Sequence, residues 1–141
     1  PPLHVLIYVS QATESFSEAA LEELMKQSRT FNRRVGITGC LVHQDGYFMQ
    51  MLEGGREAII SLMERIKIDP RHRDVSIVFE GPIRRRAYQD WGMMLRDLKS
   101  GPDASEFVKW QRRRIGFLEL AEDPRTCYAF MTAYACGGIG D

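Results

Sequence analysis

The chain has 141 residues, 44% of them hydrophobic and 27% charged, which fits one soluble globular domain with at most a short appendage. Its 19 basic and 19 acidic side chains cancel, whereas a dedicated nucleic-acid binder usually carries a basic excess. No apolar run approaches the roughly 18 residues of a membrane span.

The opening "PPLHVLIYVS" has neither the basic n-region nor the small-residue cleavage site of a signal peptide, and the cysteine usage suits a reducing cytoplasm, the expected location. Three cysteines (Cys40, Cys127, Cys136) form an odd set without C-x-x-C spacing. That argues against a disulfide framework and a zinc site, leaving them structural or incidental roles. Arg84–Arg86 and Arg112–Arg114 are each a local basic patch or a solvated face, and the overall charge balance favours the latter.

In chain order, "LHVLIYVS" (Leu3–Ser10) is a short β-branched run that predicts a buried strand. Alternation sets Val5, Ile7 and Val9 on one face, and His4, Leu6, Tyr8 and Ser10 on the other. A helix follows, opened by Ser15 with Glu18 as a capping box or by Ser17 with Phe16 and Leu21 as a staple. Leu21, Leu24, Met25 and Ser28 keep helical spacing, and Asn32 is expected to follow that helix.

"GITGCLVHQDGYFMQMLEGG" predicts a hairpin turning at Asp45-Gly46. A second helix places Ile59, Leu62, Met63 and Ile66 on one stripe and stops at Asp69-Pro70. "VSIVFEGPI" (Val75–Ile83) is a fourth strand ended by Gly81-Pro82, and "GMMLRDLKS" offers a fifth. The order β-α-β-β-α-β predicts a ferredoxin-like α+β sheet with two helices on one face.

The final stretch reads as a helical extension. "DASEFVKWQRRRIGFLEL" is one predicted helix, and "EDPRTCYAFMTAYACGG" another, with Asp123 as N-cap, Pro124 at N1 and Gly137 past its end. These helices are expected to cover the bare sheet face, with Trp110 beside Phe107 and Phe117 in that cover.

Catalytic signatures are missing: there is no G-x-S-x-G, H-E-x-x-H, P-loop or G-x-G-x-x-G. Gly36, Gly39, Gly54 and Gly55 lack phosphate-loop spacing and are expected to be turn residues. His4, His43 and His72 are too scattered for a metal site. What stands out is polar residues on apolar elements. Gln50 shares a strand face with Phe48 and Leu52, and Tyr8 lies mid-strand on the expected neighbour. An amide buried there needs partners. Either the protein supplies them, as a core tyrosine bonded to a core amide, or a ligand does.

Tyr8 in "LIYVSQA", Asn32 before "GITG", Gln50 in "YFMQMLEG", "RIKIDPRH" and "PIRRRAYQDWGMM" together resemble, in order and spacing, the BLUF family of flavin-using blue-light sensors. The resemblance covers about Leu3 to Leu98 and is to the short, stand-alone branch. It implies a photosensor domain over 1–98 and an extension over 99–141, the latter too short for a cyclase or phosphodiesterase domain.

It further implies a flavin, FAD with FMN and riboflavin as alternatives, standing between the helices. Gln50 would bond its N5/O4 edge and Tyr8, and Asn32 its O2/N3/O4 side. Phe31, just before it, replaces a residue that is polar in some relatives. Ile37 and Ile66 would flank the ring and Leu24 would pack on it, with Ser28 among the contacts. Arg65, Asp69, Arg71 and His72 would lie near the ribityl and phosphate groups.

By the same resemblance, light moves an electron and then a proton from Tyr8 through Gln50, leaving Gln50 rotated or tautomerised and the absorption red-shifted. Trp91 and Met93 match positions that exchange near the flavin, making the fifth strand a bistable element. The expectation is a photoreceptor without catalytic turnover, signalling to a downstream protein or a second copy of the chain. The alternatives are an acylphosphatase-type enzyme and a ligand-free interaction module. Light-dependent changes are expected around Gly92–Leu98 and the C-terminal helices.

Overall fold

The computed structural model describes residues 2–44, 46–88, 94–97 (backbone) and 122–133. Its elements are β1 (Leu3–Ala12), α1 (Glu18–Val35), β2 (Thr38–Gln44), β3 (Tyr47–Gly54), α2 (Arg56–Ile68), β4 (His72–Ile83), β5 (Met94–Asp97) and α3 (Pro124–Ala133). The sheet order is β4-β1-β3-β2-β5. The first four strands pair antiparallel, and β5 joins β2 in parallel. This is the expected ferredoxin-like α+β arrangement with its fifth strand. Trp91, Met93, Gly137 and the predicted helix carrying Phe107, Trp110 and Phe117 lie outside the described residues.

Local chemistry sets the boundaries. Of the two possible caps, Ser17 opens α1, its hydroxyl accepting from the Ala20 N–H at 3.1 Å. The helix closes on Gly36, whose φ of 74° is left-handed and suits glycine. Asn32 therefore lies inside α1 rather than after it, a correction. Propensity alone did not mark the helix end, since Arg33, Arg34 and Val35 carry no break.

β4 also departs from expectation. It begins at His72 and runs through Gly81-Pro82 to Ile83. As an edge strand it tolerates a proline that a central strand would not. Asp123 caps α3 as predicted, accepting from the Thr126 N–H at 3.3 Å and from its hydroxyl at 2.7 Å.

Strict alternation divides the core in two. On the front face Leu6, Tyr8, Leu41, Phe48 and Leu52 meet Leu21 and Met25 of α1 and Ile59, Leu62 and Met63 of α2. On the rear face Val5, Ile7, Cys40, Val42, Met49 and Met51 lie under Cys127, Phe130 and Met131 of α3. Tyr128 of α3 stacks on Phe79 of β4, centroids 5.0 Å apart. Phe130 and Met131 are fully buried, each worth about 1.5–3 kcal/mol relative to exposure. That burial explains why α3 seats on the rear of the sheet.

Cys40 is disulfide-bonded, which the odd cysteine count and spacing had argued against, while Cys127 is free and buried. Cysteine spacing along the chain carries no information on which distant residues the fold brings together. Among the described residues no helix is long and apolar enough to cross a membrane, and no cluster of His, Cys, Asp or Glu is disposed to hold a metal.

Candidate functional site

β1 and β3 are the central strands, and their register sets Tyr8 opposite Gln50. Both side chains face α1 and α2. The Tyr8 hydroxyl donates to Gln50 Oε1 in a short, buried hydrogen bond. Burial, reinforced by the Asp69 carboxylate, pushes the Tyr8 phenol above the ordinary tyrosine range. It is thus a neutral donor at physiological pH. With Oε1 turned to Tyr8, the Gln50 NH2 is directed away from it.

This pair forms part of the wall of a cavity of about 340 Å3 between the two helices and the sheet, within the size range of small-molecule sites. Leu24, Gln27, Ser28, Phe31 and Asn32 line it from α1, and Leu62, Arg65, Ile66 and Ile68 from α2. Leu41 and Phe48 line it from the sheet, and Asp69, Arg71 and His72 from the segment that leads into β4. Asn32 is buried, whereas Arg65 and Ile68 are exposed at the rim.

Of the residues singled out in the sequence, Tyr8, Leu24, Ser28, Asn32, Gln50, Arg65, Ile66, Asp69, Arg71 and His72 come together here. Ile37 does not. It is fully buried in the front core, where its amide donates to the Asn32 carbonyl at 2.8 Å. Its place just past the αL glycine draws it beneath the helix instead of into the cavity. Gln27, Leu41, Leu62 and Ile68 were not anticipated. Leu41 was legible in principle, being the β2 neighbour of Gln50 on the same face. Leu62 lies one turn before Ile66.

His72 has both ring nitrogens engaged. Nε2 lies 2.6 Å from the Ile66 carbonyl, which can only accept, so Nε2 carries the proton. In the neutral ring Nδ1 then accepts from the Ser10 hydroxyl at 2.8 Å. The ring is edge-on to Tyr8 with centroids 6.1 Å apart. Arg65 lies over the Phe31 ring at 4.1 Å, a cation–π contact that fixes it at the rim.

Arg71 donates through Nε to both Asp69 carboxylate oxygens at 3.0 Å. These bonds hold the Asp69 carboxyl below the usual carboxylate range. A depressed acid pKa contributes stability above the unfolded-state pKa that is lost as pH falls through the folded one. Replacing Arg71 with Gln is expected to move the Asp69 titration upward toward ordinary carboxylate values. Carboxyl-carbon NMR across an acid titration measures it, and an unchanged midpoint would count against the pair as the cause.

The arrangement suits a planar, partly polar ligand. Leu24, Leu41, Leu62 and Ile66 supply apolar walls, Asn32 and Gln50 supply buried amides, and Arg65 and Arg71 supply cations at the rim. A ferredoxin-like domain with such a slot over a tyrosine–glutamine pair defines a class, the small-molecule-binding domain.

The comparisons with known proteins agree. The BLUF family model, "Sensors of blue-light using FAD", matches residues 3–94. The photoactivated adenylate cyclase subunit beta of Euglena gracilis is 41% identical over 90 residues, 63% of this chain and 10% of that protein. The dark-state structure of BlrB, a BLUF protein, superposes with a TM-score of 0.72 at 31% identity, covering 91% of this chain and 96% of the other. BlsA in its photo-activated state gives a TM-score of 0.80 at 25% identity, covering 99% and 96%.

The chain belongs to the BLUF family, a family of flavin-using sensors of blue light. It spans about a tenth of the length of the curated cyclase relatives it matches.

Proposed function

We propose that this chain converts blue light into a rearrangement of the Tyr8–Gln50 hydrogen bond and passes it to a partner protein or a second copy of itself. It does so without catalytic turnover of its own, in the cytoplasm. The observation that carries the proposal is the buried Tyr8-to-Gln50 bond in the wall of the cavity. A bound flavin supplies blue-light absorption and a transient electron acceptor.

The protein's own residues supply the rest. Tyr8 is an oxidisable phenol whose proton has a bonded route to Gln50 Oε1. If the amide rotates, its NH2 turns toward Tyr8, so the phenol oxygen must accept where it had donated. Tautomerism would change the donor pattern without that swing. Asn32 would offer a bound flavin a buried amide, and Leu24, Leu41, Leu62 and Ile66 would keep water from it.

FAD is the proposed flavin, since Arg65 and Arg71 at the rim suit a phosphate-bearing form over riboflavin. FMN remains the alternative, as in the BlrP1 structure of Klebsiella pneumoniae solved with FMN and cyclic diGMP. We assign the photosensor to 1–98 and the output to 99–141, with Trp91 and Met93 as part of the photoactive set. Cyclase fusions among the relatives illustrate outputs attached to such sensors. The comparisons do not favour the acylphosphatase alternative.

The test is the visible spectrum of the purified protein before and after blue light. A flavin spectrum that shifts to the red and recovers in the dark is expected. Colourless protein that takes up no added FAD or FMN would overturn the proposal.

A further inference from the structure

β3 carries Gln50 on its front face and, three residues on, Glu53 on its rear face. Glu53 is fully buried, an expensive place for a carboxylate unless its oxygens are bonded. They are. Oε2 accepts from the Ala87 N–H at 2.7 Å and Oε1 from the Tyr88 N–H at 3.0 Å. The Thr38 hydroxyl on β2 donates to Oε1 at 3.4 Å. Arg86 Nη1 completes the cluster, donating to Thr38 Oγ1 at 3.0 Å and to the Glu53 carbonyl at 2.9 Å. One side chain on β3 thus organises residues 86–88, which lie between β4 and β5.

Tyr88 continues the connection. Its ring is buried, and its hydroxyl donates to the Met131 carbonyl of α3. A second contact between the same strand and helix lies nearby, Cys127 Sγ at 3.5 Å from Met49 Sδ. The strand that bears the glutamine is therefore tied through its rear face to the C-terminal helix. None of these residues lines the cavity.

We propose that Glu53 and Tyr88 form a two-link clamp that couples β3 to helix α3, so that a displacement of β3 at Gln50 reaches α3 through the rear of the sheet. As a route for the light signal, this clamp rests on the sensor function proposed above. Both are positioning residues. Glu53 acts by accepting on both oxygens, which glutamine cannot do, since its NH2 would meet one of the two backbone N–H groups. Tyr88→Phe keeps the ring and removes the hydroxyl that donates to Met131.

The test is amide hydrogen exchange of the flavin-loaded full chain, dark and illuminated, for the wild type, Tyr88→Phe and Glu53→Gln. Both variants are expected to keep the flavin spectrum and the light-induced red shift. In the dark, exchange over 128–133 should quicken about five-fold or more as one anchoring bond is lost. The light–dark difference that the wild type shows in α3 should fall several-fold in both.

Dark exchange in α3 that matches the wild type in both variants overturns the clamp. So does a light–dark difference that keeps its full size, or a wild type that red-shifts with α3 exchange identical in dark and light. A wild type that shows no red shift instead overturns the sensor function and the light-driven role with it. The dark comparison then still decides whether the clamp holds α3.

Discussion

Replacing Tyr8 with phenylalanine is expected to leave the flavin bound and to abolish the stable red shift after blue light. The substitution removes one hydroxyl from a wall that keeps its ring, its apolar neighbours and the Asn32 amide. Binding is therefore retained. What disappears is the donor to Gln50 Oε1 and the oxidisable phenol. Gln50 Oε1 loses the Tyr8 donor in a buried setting, at a cost of about 1–3 kcal/mol in stability, which a domain of this size survives.

Gln50→Ala should also lose the red shift, and should move the dark spectrum slightly to the blue by removing a bond to the ring. The two variants separate donor from relay. A Tyr8→Phe protein that photocycles with normal amplitude would show that this phenol is not the source of the electron and proton. The energy available also bounds the output. Rearranging one buried hydrogen bond offers roughly 1–3 kcal/mol, a five- to 150-fold shift in a two-state equilibrium. That suffices to bias an interface or a helix contact and falls short of unfolding the domain.

Strand periodicity made part of the site legible in the sequence. Side-chain alternation has a period of two, so two correct strand assignments placed Tyr8 and Gln50 on the front face. The same rule places Leu41 and Phe48 there. The topology then made β1 and β3 neighbours. Residues at element ends escaped this logic. Asn32 was expected beyond α1 and lies within it, because nothing before Gly36 breaks the helix.

Ile37 sits between an αL glycine and the start of β2, where neither helical nor strand periodicity fixes its direction. The rear-face network was illegible for another reason. Glu53 lies one residue from the end of β3, and only the return of residues 86–88 gives it backbone donors. Burial pushes its carboxyl above the ordinary glutamate range, against the pull of those donors and of Arg86. No local pattern in "MLEGG" announces partners more than thirty residues away.

Gly39→Ala is expected to be the most destabilising single-methyl change among the described glycines. The sequence suggested a turn residue; the structure places Gly39 inside β2, paired with Leu52 of β3. A Cβ there would lie 1.8 Å from the Met51 carbonyl oxygen and 2.9 Å from its carbon, both backbone. Its φ of 157° is also one that L side chains rarely adopt.

Backbone in mid-sheet cannot swing aside as a flexible side chain does, so the β2–β3 ladder must open, at about 3 kcal/mol or more. For a chain of this length that corresponds to a fall in Tm of roughly 10 °C or more, or to no folded protein. Gly36→Ala is the matched control. Its φ of 74° strains an alanine, but nothing lies within 4 Å of the added methyl, so its cost should stay near 1–2 kcal/mol. Thermal unfolding of the two variants side by side measures the difference. Equal Tm values would show that the close approach of β3 to Gly39 is not what excludes a side chain there. A folded Gly39→Ala protein should also release flavin more readily, because Leu41 and Gln50, paired two residues further along the same ladder, both line the cavity.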